Sequence, residues 1–203
     1  MGRCYIPQLM KYLCIAMLGV FILDHVPMIR SASELLYFNK GLILEGQVWR
    51  LVTFIFLPPS GSYLWILLNL YFYFFIGSAL ENAWGSRRFN LYYLIGIVGN
   101  IIAGMITGFA TNAYLNLSLT LAFAVLYPDM QFTLFFILPV KAKWIGLAWG
   151  AYLLYQLAVV PWAWKVALLF SLLPFVLFHG KDALLQCKLW LRHVRFWINT
   201  RKK

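Results

Sequence analysis

Residues 45–89 read EGQVWRLVTFIFLPPSGSYLWILLNLYFYFFIGSALENAWGSRRF, and this stretch decides the fold. A short polar start, Gly46–Gln47, leads into Trp49–Arg50 and Thr53. The apolar run Leu51–Leu57 is then stopped by Pro58–Pro59. It is far shorter than the roughly 20 residues a helix needs to cross a bilayer. It reads as a loop lying in or on the membrane surface. From Tyr63 to Leu80 the chain is apolar for a full crossing, interrupted by one amide, Asn69. The stretch closes on Glu81, Trp84–Gly85 and the basic pair Arg87–Arg88. A guanidinium beside an indole suits the interface, where ring and aliphatic stem face lipid and the charge finds water, phosphate or carbonyls.

Working outward, composition places the whole chain in a membrane. Of 203 residues, 63% are hydrophobic, 19% aromatic and only 11% charged, and the mean hydropathy is +0.78. That is a polytopic helical protein with no room for a second soluble domain. A net charge of +11 would suggest nucleic acid in a soluble protein. Here lysines and arginines that set membrane orientation account for it, so no nucleic-acid partner is expected. Cys4, Cys14 and Cys187 have no metal-ligand spacing and read as reduced thiols. No heme, metal or nucleotide motif stands out, so no cofactor and no metal site are expected.

Six spans follow from hydropathy: Tyr12–Ile29, Tyr63–Leu80, Asn90–Gly108, Ala113–Tyr127, Trp144–Val160 and Val166–Phe178. The first carries Asp24, His25 and Pro27 near its far end; it lacks a small-residue cleavage site and reads as a helix. Asp24–His25 reads as a solvated interfacial pair, with a proton-sensitive site as its alternative. The third span carries Gly96 and Gly99, and the fifth Gly146 and Gly150 in GxxxG spacing, all read as helix-packing positions. Most spans are only about 15 to 19 residues, a length that favours local bilayer thinning. Between the fourth and fifth lies an apolar piece, Phe132–Val140, ending at Lys141–Lys143. Residues 1–180 thus form an all-α six-helix membrane domain, and residues 181–203 a basic tail. The tail interleaves Lys188, Arg192 and Arg195 with Trp190, Phe196 and Trp197, and reads as an amphipathic surface helix on anionic lipid. Thirteen of the 17 Lys and Arg residues fall on the side of the two termini, which places both ends in the cytoplasm.

GQVWRLVT, the asparagine in the next span, and LENAWGSRRF together resemble the rhomboid superfamily, in its first luminal loop, second helix and following cytoplasmic loop. The segment LYPDMQFTLFFILPVKAKWIGL (residues 126–147) is similar to the approach to the fifth helix in that superfamily. The resemblance covers roughly residues 40–150. It implies a six-helix rhomboid-like bundle with an interfacial first loop. The superfamily holds intramembrane serine proteases and inactive relatives such as the Derlins, so it does not by itself imply activity.

Rhomboid proteases carry a serine in a Gly-x-Ser-Gly setting at the start of the fourth helix and a histidine on the sixth, because a serine hydroxyl needs a base to become a nucleophile. Counted back from Tyr127–Pro128, the serine position falls near Ala113, and no glycine lies between Phe109 and Tyr127. Trp164–Phe178 holds no histidine, and the family's histidine four residues before Asn69 is replaced by Trp65. No catalytic residue is therefore assigned. Ser118, deeper in the fourth span, reads as a helix-packing serine. The resemblance then implies a Derlin-like pseudoprotease that binds transmembrane client segments and perturbs the bilayer, in membrane-protein quality control or trafficking. Trp49, Arg50 and Thr53 would form its client or lipid interface, with interfacial anchoring as the alternative for Trp49–Arg50. Asn69, Glu81, Trp84, Gly85, Arg87 and Arg88 read as structural, with Glu81 and the two arginines as an ion-pair network. The competing readings are a protease with a displaced nucleophile at Ser118 or Ser171, and a small transporter or channel. Without a retention signal the sequence leans to a bacterial plasma membrane, or to the endoplasmic reticulum in a eukaryote.

Overall fold

The structure, a computed structural model, describes residues 5–26, 32–59, 62–134, 138–162 and 164–179. The basic tail at 181–203, with Cys4, Arg30, Cys187 and His193, lies outside the described residues. The chain opens with α1 (Leu9–Asp24). Three short helices follow, α2 (Ala32–Leu36), α3 (Lys40–Leu44) and α4 (Arg50–Thr53), the last running into a 3-10 turn at Phe54–Phe56. Two long helices come next, α5 (Tyr63–Trp84) and α6 (Ser86–Thr107), and then α7 (Ala113–Leu126). The strands β1 (Gln131–Leu134) and β2 (Leu138–Lys141) form an antiparallel hairpin before α8 (Ala142–Val159) and α9 (Trp164–His179).

The architecture is a helical bundle organised around α7. Nine of its 14 residues are buried, among them Leu115, Leu119, Ala122 and Phe123. A helix that is apolar on all sides belongs at the centre of a bundle. It packs against α5, α6 and α8. On α1, Met10, Leu13, Met17 and Val20 recur at helical spacing and form the buried stripe that meets α5. A second apolar cluster, Leu117, Leu121, Leu153 and Leu168, joins α7, α8 and α9.

Helix ends differ from the sequence reading for identifiable reasons. The first helix stops at Asp24, whose carboxylate accepts from the Ser33 N–H at 2.9 Å and from the Ser33 hydroxyl, so this acid ties α1 to α2 and is not simply solvated. The second span, expected to end at Leu80, continues to Trp84, because Glu81 is buried and hydrogen-bonded. The next helix then starts at Ser86, after a single residue. Both helices run for 22 residues, about 33 Å at the α-helical rise, a full crossing and longer than the spans Tyr63–Leu80 and Asn90–Gly108 expected. By length and hydropathy α5 and α6 can each cross a membrane, while α7 and α9 are shorter apolar helices. The hairpin is an addition to the all-helical expectation.

Two glycines decide backbone geometry. Gly85 sits between α5 and α6 at φ 78°, ψ 152°, a conformation that is essentially glycine's alone. Gly99 lets α6 touch α9: a Cβ there would lie 2.7 Å from the Phe170 carbonyl oxygen. Gly96 faces the Leu115 side chain and Gly146 meets Ala124, each a close approach between helices. Gly150 faces open space within the chain, and the GxxxG pair is thus a one-residue contact.

Gly99→Ala is expected to lower stability by about 1–3 kcal/mol, since backbone must move to admit the methyl. Gly150→Ala should be neutral or stabilising by up to about 1 kcal/mol, through helix propensity alone. Thermal unfolding of the two variants in detergent checks this; equal responses would contradict the close approach of α6 and α9.

Candidate functional site

The loop between α1 and α5 is irregular backbone, and irregular backbone near lipid leaves carbonyls that need donors. Arg50 supplies them. Its Nη1 donates to the Glu34 carbonyl at 2.8 Å and to the Tyr37 carbonyl at 3.0 Å, and Nε donates to Gln47 Oε1 at 2.7 Å. The guanidinium lies 5.0 Å from the centre of the Tyr37 ring, within cation–π range. The Thr53 hydroxyl donates to the Leu36 carbonyl at 3.0 Å, so Arg50 and Thr53 together satisfy the carboxyl end of α2. Asn39 caps α3 by accepting from the Leu42 N–H. From the start of α7, Asn112 donates to the Leu57 and Ile55 carbonyls at 2.8 and 3.2 Å and fixes the far end of the loop.

Trp49 and Arg50 therefore part company. Arg50 is 3% exposed and clamps the loop from inside, whereas Trp49 is 51% exposed beside the exposed Val48 and Val52. Successive residues on a helical turn point about 100° apart, so one faces in and the next faces out. The expectation that Trp49, Arg50 and Thr53 together face client or lipid is corrected for Arg50 and Thr53, which turn to carbonyls of the loop. Trp49 is the outward residue, and Thr53 belongs with the clamp.

The positions of a rhomboid catalytic pair hold no such pair. Ala113 starts α7 and is exposed. Trp65 is half exposed, and Asn69 donates to the Trp65 carbonyl at 2.8 Å, a bond inside α5 and not across helices. The hydroxyl of Ser118, fully buried, donates to the Leu115 carbonyl at 2.7 Å. The Tyr92 hydroxyl on α6 lies 3.2 Å from that oxygen and 3.1 Å from the Ser118 carbonyl. The Ser171 hydroxyl donates to the Leu168 carbonyl at 2.9 Å within α9. His25 packs against Phe21 and Tyr63, and its Nδ1 lies 2.7 Å from the Phe21 carbonyl. His179 packs on Trp84 and Phe175. Asn116, 2% exposed on α7, sits beside the Tyr73 hydroxyl, with Cys14 and Tyr93 near it. This buried polar cluster from four helices was not anticipated; an amide in an apolar helix was its one signal.

At the other end of the bundle Glu81 Oε1 accepts from the Gln8 N–H at 2.7 Å and from the Ser86 hydroxyl at 2.6 Å. It thereby links α1, α5 and α6. Arg87 and Arg88 are exposed, and the ion pairs found among the described residues are Lys141 and Lys143 with Asp129. The network expected between Glu81 and the arginines is replaced by this helix-joining contact. The Trp84 ring lies 5.3 Å from Tyr92 and 6.4 Å from Phe178, so the Trp-Gly corner also gathers α6 and α9. No group of three His, Cys, Asp or Glu residues that could hold a metal occurs among the described residues.

Comparison with known proteins assigns the chain. A family described as "Eukaryotic integral membrane protein (DUF1751)" matches residues 11–177, and the chain belongs to it. Over 92 residues the chain is also 32% identical to Rhomboid-like protease 1 of Toxoplasma gondii. That stretch is 43% of this chain and 30% of the relative, so the chain spans under a third of the relative's length. Together the two findings support a rhomboid-like superfamily relationship. The eukaryotic description departs from the bacterial membrane toward which the sequence leaned.

Arg50→Ala is expected to cost roughly 3 kcal/mol, because it removes three charge-assisted hydrogen bonds from a buried guanidinium to partly buried acceptors. Trp49→Ala should change stability by less than about 0.5 kcal/mol, as exposed substitutions do. Thermal unfolding and limited proteolysis of the 32–57 loop would reveal both. A tolerant Arg50→Ala would mean that the clamp contributes little.

Proposed function

We propose that this rhomboid-like member of a eukaryotic integral membrane family binds transmembrane segments of other proteins without cutting them, and perturbs the bilayer around it. The observation that carries the reading is Ser118. Its hydroxyl is committed to the Leu115 carbonyl and the Tyr92 hydroxyl in a closed core, and neither partner is a base. A serine held this way is a packing group, since nucleophilic attack needs both a proton acceptor and room for substrate.

In this reading α1 and α5 to α9 are six spans, with both termini in the cytoplasm of a eukaryotic cell, the endoplasmic reticulum being the membrane first considered. The basic tail lies on anionic lipid. One feature supports client binding. Helix α8 packs on α7 and the hairpin and buries little beyond Ala142 and Leu153. It leaves Trp144, Trp149, Tyr152, Leu154 and Tyr155 exposed. Support for thinning is narrower than the sequence suggested, because α5 and α6 are full length. It rests on α7, at 14 residues or about 21 Å, and on the loop that carries Trp49.

The printed name of the Toxoplasma relative favours one alternative, an intramembrane serine protease. Fluorophosphonate labelling in detergent and liposomes, together with cleavage of a generic transmembrane substrate, separates the two, with an active rhomboid beside it. Neither labelling nor turnover is expected. Labelling abolished by Ser118→Ala or Ser171→Ala would replace the binding reading with a rearranged active site. Photo-crosslinking from Trp49 and Trp149 should then capture transmembrane segments of other proteins; capture of lipid alone would overturn client binding.

A further inference from the structure

Where α6 crosses α9, the two helices leave a groove of about 200 Å³ that client binding does not use. Leu94, Val98 and Ile102 of α6 line it, with Phe170 and Leu173 of α9. Gly99 lines it too, buried at the point where a Cβ would meet the Phe170 carbonyl oxygen at 2.7 Å. Beside that glycine Leu94, Val98, Ile102 and Leu173 stand exposed, and no polar side chain lines the groove. From Leu94 to Ile102 it runs about 12 Å along α6. A site for a drug-sized molecule has roughly 300–1,000 Å³. A helix with its side chains is about 10–12 Å across. A groove this small and wholly apolar suits one extended hydrocarbon chain.

The α6 residues that line it lead back to two arginines. At about 100° per residue, Arg87, Leu91, Leu94, Val98 and Ile102 fall within about 80° of one another around the helix axis. Arg88, Ile95 and Gly99 form the neighbouring row, within about 40°. Both arginines are exposed, and the ion pairs among the described residues leave them without a carboxylate. The nearest acid along the chain, Glu81, is buried and turned to Gln8 and Ser86. Measured along α6, the groove begins about 10 Å from Arg87 and ends about 22 Å from it. One leaflet of hydrocarbon is about 15 Å deep, half of the bilayer core. A lipid whose phosphate meets the arginines therefore has its acyl chains at the depth of the groove.

We infer that this groove holds one acyl chain of an anionic phospholipid, with its phosphate at Arg87 and Arg88. The inference goes beyond client binding and rests on the spanning assignment of α6. Within a bilayer an acyl chain gains little by leaving its neighbours, since lipid tails are as apolar as leucine. The groove thus sets the position of the lipid, and the two uncompensated arginines set its charge. A transmembrane segment of another protein is the competing occupant.

The test reconstitutes the full chain in phosphatidylcholine nanodiscs. A small fraction of the lipid is phosphatidylserine, or in parallel phosphatidylcholine, that carries a diazirine midway along one acyl chain. After photolysis, mass spectrometry maps the adducts, counted relative to those on Leu154 and Tyr155, which are exposed on α8. Phosphatidylserine adducts should concentrate between Leu94 and Ile102 on α6 and between Phe170 and Leu173 on α9. Arg87→Gln with Arg88→Gln should lower them about fivefold or more, to the level given by phosphatidylcholine. Adducts no denser in the groove than on α8 mean annular lipid only and overturn the site. Equal labelling by the two lipids overturns the arginine contact and the inference with it, as does an arginine variant that labels like the native chain. No adduct on any exposed apolar face overturns the spanning assignment as well. The mapping on the native chain needs no variant, so it decides even if the arginine variant fails to fold. Benzoylphenylalanine at Val98 should capture lipid, and capture of protein there overturns the inference in favour of the competing occupant.

Discussion

The guanidinium of Arg50 holds the part of the chain that a membrane tolerates least. Between α1 and α5 the backbone turns through three short helices and a 3-10 turn, and each break frees carbonyls that need donors. Arg50 meets two of these carbonyls and the Gln47 amide with one planar group, and Thr53 and Asn112 meet others. Once that loop is fixed, Phe38 and Phe54 can pack edge to face with centroids 5.9 Å apart. Phe38 then fills the space that Gly104 leaves on α6. A lysine in place of Arg50 would bring a single ammonium to the same three acceptors, without the rigid fork that reaches them together.

Much of this was legible in the sequence, because hydropathy reports directly on what a bilayer selects. The apolar runs fell within a few residues of α5, α6, α7, α8 and α9. Their ends were harder, since an acidic residue such as Glu81 looks like a boundary until its partners, the Gln8 amide and the Ser86 hydroxyl, are known. Direction was harder still. Trp49 and Arg50 are neighbours in sequence and opposites in space, and no pattern in one chain distinguishes an arginine facing headgroups from one facing carbonyls. The same holds for Gly146 and Gly150, identical in sequence terms and unlike in what they touch. The hairpin was read as an apolar piece because short strands and short buried segments look alike until their pairing is seen.

The polar residues of α7 show how a rhomboid-like bundle can keep its centre closed. Ser118 joins α7 to α6 through Tyr92, Asn116 faces α5 through Tyr73, and Thr120 returns to the Asn116 carbonyl at 3.0 Å. The two hydroxyls are paired, whereas the buried Asn116 side-chain amide has no hydrogen-bond partner among the described residues. The Ser118 hydroxyl is thus paired inside the core, with the Leu115 carbonyl on its own helix and with Tyr92 on α6.

Gly85 carries a consequence for how the chain tolerates change in length. Two 22-residue helices meet across this one residue, so no slack separates them. An added residue at the corner would turn α6 by about 100° about its axis and lift it by about 1.5 Å. Tyr92 would swing away from Ser118, and Gly99 from the Phe170 carbonyl. The corner therefore acts as a gauge block that sets the phase of everything downstream. A tag or inserted domain therefore belongs in a loop and never between Trp84 and Ser86.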